Sequence, residues 1–322
     1  MGRLAVTGAG GFIGRAVCRA AFQSGHEVVA IGPGSAGADP RLRSHPEWIA
    51  DPADLAPMLD GVDVLIHAAG RGTPATVRSL ASPAAQNELE VAAAVLDAAA
   101  HAAVGRVVLV SSGGTIYGDV PSTLPITEAQ PVAPASPYAA VKAAIEQLGL
   151  AMDRSGRLRC VVARLSNPYG PFQYPWRGQG LVGSVFAQLS RGEAVELWGD
   201  GRTVRDYIYV VDAARGLLAA ATQPGRSIFH ISSGRGVATA QVIEDAARAF
   251  GVCALVSHRP DRDAGVSRSV LSSARLTACT GWRPVVDWRE GLLKTAAWWA
   301  EPARLQLAPV SRGQSYRSAH VL

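Results

Sequence analysis

Charged residues are scarce in this 322-residue chain, at 18%, and aromatic residues scarcer still, at 6%. No apolar run approaches the ~20 residues a membrane-spanning helix needs, so a transmembrane protein is not expected. Met1–Thr7 leads straight into a strand-like stretch without a charged-then-apolar leader, so no secretory signal is expected either. The four cysteines, Cys18, Cys160, Cys253 and Cys279, are widely scattered, with neither a CxxC pair nor a disulfide-like rhythm. That pattern argues against a disulfide framework and predicts buried free thiols in a reducing compartment, the cytoplasm. Basic runs interleaved with aromatics are also missing. The net charge of +5 is spread over isolated arginines, which does not make a nucleic-acid groove. A mild positive excess suits phosphorylated small molecules instead.

What the chain has in quantity is apolar residue, 48%, arranged as short runs between longer helical patterns. Leu4–Val6, Val28–Ile31, Val62–Ile66, Val107–Val110 and Cys160–Ala163 read as buried strands of a parallel sheet. A further strand-like stretch is Trp48–Ile49. Helical patterns cover Phe12–Phe22, Ala84–His101 and Tyr138–Met152. Strand and helix alternating in this way predict an α/β fold: a doubly wound parallel sheet of the Rossmann type. After Leu165 the pattern changes, and Ser166–Gly180 is irregular. We expect residues 1–165 to form the sheet domain, with 204–232 returning to it. Residues 166–322 then belong mainly to a smaller, interleaved C-terminal substrate domain. Asp212 is expected to cap the helix after Tyr207–Val211.

Thr7-Gly8-Ala9-Gly10-Gly11-Phe12-Ile13-Gly14 lies between the first strand and the first helix. Gly8, Gly11 and Gly14 permit a sharp turn, a close approach of backbone to a pyrophosphate, and tight packing of helix on strand. Phe12 and Ile13 open the helix, whose N-terminal N–H groups and dipole favour phosphate. Such turns also occur purely for packing, but position and context here favour a dinucleotide. The second strand ends at Ile31-Gly32-Pro33 without the acidic residue that would hold an adenosine ribose. NAD is the expected cofactor, with NADP left open; Asp39, Arg41 or Arg43 approach from the loop, and Asp51 is placed for the adenine.

Ser136-Pro137-Tyr138-Ala139-Ala140-Val141-Lys142 is the most informative segment. Ser136 suits an N-cap and Pro137 a first helical residue, which puts Tyr138 in the first turn. Lys142 follows one turn later on the same face. An ammonium beside a phenol favours the phenolate and draws its pKa from about 10 toward neutrality. Such a group can take a hydroxyl proton while hydride leaves the same carbon.

Together Gly8–Gly14, Ser111–Gly118 and Tyr138…Lys142 resemble the extended short-chain dehydrogenases/reductases. Arg164–Pro171 and Trp198–Val210 narrow the likeness to UDP-glucose 4-epimerase-like nucleotide-sugar enzymes. The resemblance implies Tyr138 as general base and Lys142 as its partner, both also on the cofactor. It implies Ala68, Ala69 and Gly70 after His67, with Ser111, beside the cofactor. Asn167 and Arg205 fall near the sugar diphosphate, and Arg259 and Asp263 near the nucleotide. A homodimer built on the helices from Ala84 and Tyr138 is implied as well.

One departure matters. The position where the family carries a catalytic Ser or Thr is Gly113, so Ser112, with Thr115 beside it, must supply the hydroxyl. The family's 4,6-dehydratases carry an Asp-Glu pair where Gly114 and Thr115 stand here, which disfavours dehydration. C4 epimerisation of a UDP-sugar through a transient keto-sugar is the leading expectation. The alternatives are a 4-ketoreductase and a non-catalytic nucleotide-binding protein.

Overall fold

The computed structural model describes residues 2–34, 42–45, 52–70, 72–175, 180–260 and 266–301. The first half runs β1 (Arg3–Thr7), α1 (Phe12–Gln23), β2 (Glu27–Ile31), β3 (Leu42–His45), α2 (Pro52–Leu55) and β4 (Val64–His67). It continues with α3 (Pro83–His101), β5 (Arg106–Ser112), α4 (Pro137–Arg154) and β6 (Cys160–Leu165). Then come β7 (Asn167–Tyr169), α5 (Leu181–Leu189), β8 (Val195–Trp198), β9 (Val204–Tyr209), α6 (Val210–Ala221) and β10 (Ser227–Ile231). The last elements are β11 (Gly236–Ala238), α7 (Thr239–Phe250), β12 (Val256–Arg259), β13 (Arg268–Ser269), α8 (Ala274–Thr280) and α9 (Trp288–Trp299).

Seven strands form one parallel sheet in the order β10-β6-β5-β4-β1-β2-β3. Its inner strands are apolar through their centres because helices cover both faces. On one face, α3 and α4 enclose a core that includes Leu65, Leu96, Val107 and Leu109. On the other, α1 and α6 enclose Val6, Val17, Val108, Leu217 and Phe229. The third strand is Leu42–His45, paired in register with Val28–Ile31. As the outermost strand it tolerates the polar Arg43, Ser44 and His45. Trp48–Ile49 lies outside the described residues.

β10 returns to this sheet beside β6, whereas β9 joins β11, β13 and β7 in a second, four-stranded sheet. A separate core of α5, α7 and α9 holds Phe186, Val242, Leu292 and Trp299. Asp212 does not cap α6: the N-cap is Tyr209. Its Oδ2 accepts from the Val285 and Val286 amides, and its Oδ1 pairs with Arg215. It fastens the chain before α9 to the sheet domain. Among the described residues no helix is long and apolar enough to cross a membrane.

Candidate active site

The turn after β1 is built from glycines that nothing larger can replace. Gly8 has φ +72°, and a Cβ there would stand 2.7 Å from the Ala69 backbone. At Gly14 a Cβ would meet the Gly8 carbonyl at 2.1 Å. The turn is thereby pressed against the loop that follows β4, bringing Gly8 and Gly14 together with Ala68 and Ala69. No side chain caps α1 at Gly11, and no acidic residue lies in its first turn. An uncapped, acid-free N-terminus beside a glycine cradle fits a dinucleotide pyrophosphate.

The start of α4 comes close to the end of β4, where the Lys142 charge acts on His67. Ser136 caps α4, its hydroxyl accepting from the Ala139 amide at 3.2 Å. Pro137 follows, and Tyr138 and Lys142 share one face. The Lys142 ammonium lies 5.8 Å from the centre of the Tyr138 ring. Burial opposes the ammonium, but Tyr138 and the Glu88 carboxylate outweigh it and raise the Lys142 pKa above its ordinary value. Lys142 therefore stays charged. His67, at the end of β4, is hydrogen-bonded to Thr7 across 2.8 Å. Burial, then the Lys142 ammonium, pushes its pKa down to about 4, so near neutrality it is uncharged.

Past the end of β5, Thr115 Oγ1 donates to Ser112 Oγ at 3.1 Å, so the two expected hydroxyls act as one pair. Gly113 has a structural cause: a Cβ there would stand 2.3 Å from Leu271 Cδ1, whose side chain fills the space. A Cβ at Gly114 would instead sit 3.6 Å from the Asn167 amide, in ordinary contact. Position 114 thus faces Asn167 and holds no carboxylate.

The family model described as the NAD dependent epimerase/dehydratase family matches residues 4–231. The chain belongs to this family. The UDP-glucose 4-epimerase of Mycolicibacterium smegmatis is 34% identical over 307 residues, covering 91% of this chain and 97% of that one. Among solved structures, the UDP-glucose 4-epimerase of Thermus thermophilus in complex with NAD superposes with a TM-score of 0.85 at 30% identity. That match covers 93% of this chain and 99% of the other. DesIV, a dTDP-glucose 4,6-dehydratase from Streptomyces venezuelae with NAD bound, gives the same TM-score and identity, covering 94% and 98%. The chain therefore stands among NAD-dependent enzymes that modify nucleotide sugars, and resembles two branches of the epimerase/dehydratase family about equally.

The other expected epimerase/dehydratase positions are placed unevenly. Asn167 Nδ2 donates to the Asp206 carbonyl at 2.9 Å, which holds it at the junction of β7 and β9. Arg205 donates to the Val204 and Val266 carbonyls, and burial lowers its pKa. Arg259 is exposed on β12 and paired with Glu196 on β8 at 3.0 Å, a contact internal to the second domain. Arg43 is turned to Glu27, at the start of β2, and so does not approach the end of that strand. Ser111 donates to Glu146 at 2.5 Å, inside the protein. Asp39, Arg41, Asp51 and Asp263 lie outside the described residues.

Two groups went unnoticed in the sequence. Glu88 on α3 is buried and accepts from Lys142 at 3.0 Å. Glu146, one turn beyond Lys142, is buried against Arg164 of β6 at 2.6 Å. The signal for the second pair was present: a charged residue at the end of an apolar strand has to find a partner.

Proposed function

We propose that the chain epimerises C4 of a UDP-sugar, using NAD that it keeps between turnovers. Gly8, Gly11, Gly14 and the N-terminus of α1 would hold the pyrophosphate, with Lys142 and the loop from Ala68 at the nicotinamide end. When bound, NAD supplies a reversible acceptor for hydride from C4. Tyr138, as phenolate, takes the C4 hydroxyl proton, and its oxygen gives that proton back after the keto-sugar has turned over. Lys142 keeps a positive charge beside the phenolate. Ser112, which accepts from Thr115, donates to the sugar oxygen in the place of the hydroxyl that Gly113 lacks. Asn167 orients the diphosphate end of the substrate.

The observation that carries epimerisation over dehydration is the surface at Gly114 and Thr115. Elimination of water needs a second acid/base pair there, and neither residue can move a proton as a carboxyl does. Glu88 and Glu146 are ion-paired already. The test is a panel of UDP- and dTDP-sugars followed by NMR. A C4 epimer of a UDP-sugar is expected, with no net change in the reduced-nicotinamide absorbance. A 4-keto-6-deoxy product would overturn the reading in favour of dehydration, and net consumption of reduced nicotinamide in favour of a ketoreductase.

A homodimer is part of the same proposal. α3 and α4 pack side by side, and on α4 Leu148 is left 36% exposed. Light scattering should give twice the 33.5 kDa of one chain; a monomer at micromolar concentration would remove the dimer.

A further inference from the structure

Glu88 is the one carboxylate on the inner face of α3, among Ala85, Val91, Ala92 and Val95. Only 4% of it is exposed. One oxygen accepts from Lys142 at 3.0 Å, and the other from the Gly72 amide at 2.6 Å. The loop after β4 is shaped around it. A Cβ at Gly70 would stand 3.0 Å from Glu88 Oε2, and one at Gly72 would stand 2.7 Å from its Cγ. A single carboxylate thus joins the loop expected beside the cofactor, helix α3 and the helix that carries the base.

We infer that Glu88 is a positioning residue that holds the Lys142 ammonium and sets the pH at which Tyr138 becomes a base. The inference rests on Tyr138 and Lys142 acting as proposed above. A buried carboxylate is retained where it is ionised and paired. Its contact occupies one of the three Lys142 donors and fixes the direction of the others. Its charge also works against the ammonium. Lys142 draws a proton off Tyr138, and the Glu88 charge on the far side of Lys142 weakens that pull. Neutralising Glu88 would leave that pull unopposed, while the carboxylate gives Lys142 a fixed geometry.

Among the described residues, the ionisable groups that act on Lys142 are Tyr138 on its own helix, Glu88 on α3 and His67 at the end of β4. His67 is neutral near pH 7 and contributes no charge. Glu146, the next acidic residue along the face of α4, is taken by Arg164. Among the described residues Glu88 is therefore the charged group whose removal changes the field at this pair.

The experiment is a phenolate titration. With seven tyrosines in the chain, the Tyr138 signal is the ultraviolet difference between each protein and its Tyr138→Phe counterpart. Glu88→Gln removes the charge and keeps an acceptor. The Tyr138 phenolate should then develop about one pH unit lower than in the wild type. The acid limb of kcat should move in the same direction. Glu88→Asp, which restores the charge, should bring the midpoint back. Should the amide variant not fold, Glu88→Met offers a neutral side chain of similar volume for the same titration. An unmoved midpoint in a folded neutral variant would overturn the inference, even if kcat fell, because packing alone changes rate without moving the titration. The titration needs no substrate. A chain that turned over no nucleotide sugar would defeat the proposed function while leaving this result readable.

Discussion

Tyr138→Phe is expected to lower kcat by about 10²- to 10⁴-fold, the range a general base contributes. The substitution removes one oxygen and nothing else from the core. The ring stays packed in the cluster with Val141 and Ile145. Lys142 keeps its partner, since Glu88 holds it independently of the phenol. Far-UV circular dichroism and the nucleotide content of the purified protein should therefore match the wild type. On the proposed mechanism, the C4 hydroxyl without the phenol has nowhere to place its proton except water or the Ser112–Thr115 pair. Those hydroxyls are poor bases, because an alcohol ionises far above pH 7. The variant should bind substrate with little change, and most of the loss should fall on kcat rather than KM. Turnover within about tenfold of the wild type would sink the base assignment.

The parts of this site that were legible in the sequence are those governed by local geometry. Ser136 and Pro137 announced the start of α4, and a spacing of four then placed Lys142 over Tyr138. The glycine turn was legible because it sits between an apolar strand and an amphipathic helix. Pairings made by topology were hidden. Glu88 is 54 residues from Lys142, and on α3 alone it is an ordinary helical glutamate. It becomes part of the site only because α3 and α4 lie side by side on one face of the sheet. Gly113 read as a missing hydroxyl. Leu271, which accounts for it, comes 158 residues later and reaches the site through the connection beyond β13. Asp212 looked like a cap because it stands near a helix start. Its Oδ2 serves a segment more than seventy residues away. The alternation of strand and helix gave the doubly wound parallel sheet, but nothing local distinguished β9, which leaves that sheet, from β10, which enters it.

Glu146→Ala should destabilise the sheet domain by about 3–5 kcal/mol, the cost of breaking a buried ion pair from one side. The Arg164 guanidinium binds both Glu146 oxygens, with Nη2–Oε2 at 2.6 Å, and donates through Nη1 to the Tyr117 hydroxyl. Tyr117 in turn meets His230 Nε2 at 2.5 Å, linking β5's loop to β10. The side chains of Arg164 and Glu146 are 3% and 1% exposed. Burial opposes the Arg164 charge, but its bonds to Glu146 and Tyr117 outweigh that and raise its pKa. With Glu146 gone the guanidinium cannot shed its proton to escape, since arginine does not deprotonate in proteins. The penalty should therefore be the same at pH 5 and pH 8, seen as a loss of roughly 5–10 °C in Tm. Arg164→Met leaves the opposite orphan, and that one has an exit. Glu146 can take a proton and keep its bond from Ser111. In that variant its folded-state pKa would lie above the unfolded value, so the folded protein binds the extra proton and the deficit shrinks as pH falls. Urea unfolding of both variants at pH 5 and pH 8 checks this. A deficit in Glu146→Ala that vanished at pH 5 would mean that Arg164 is not the charge left stranded.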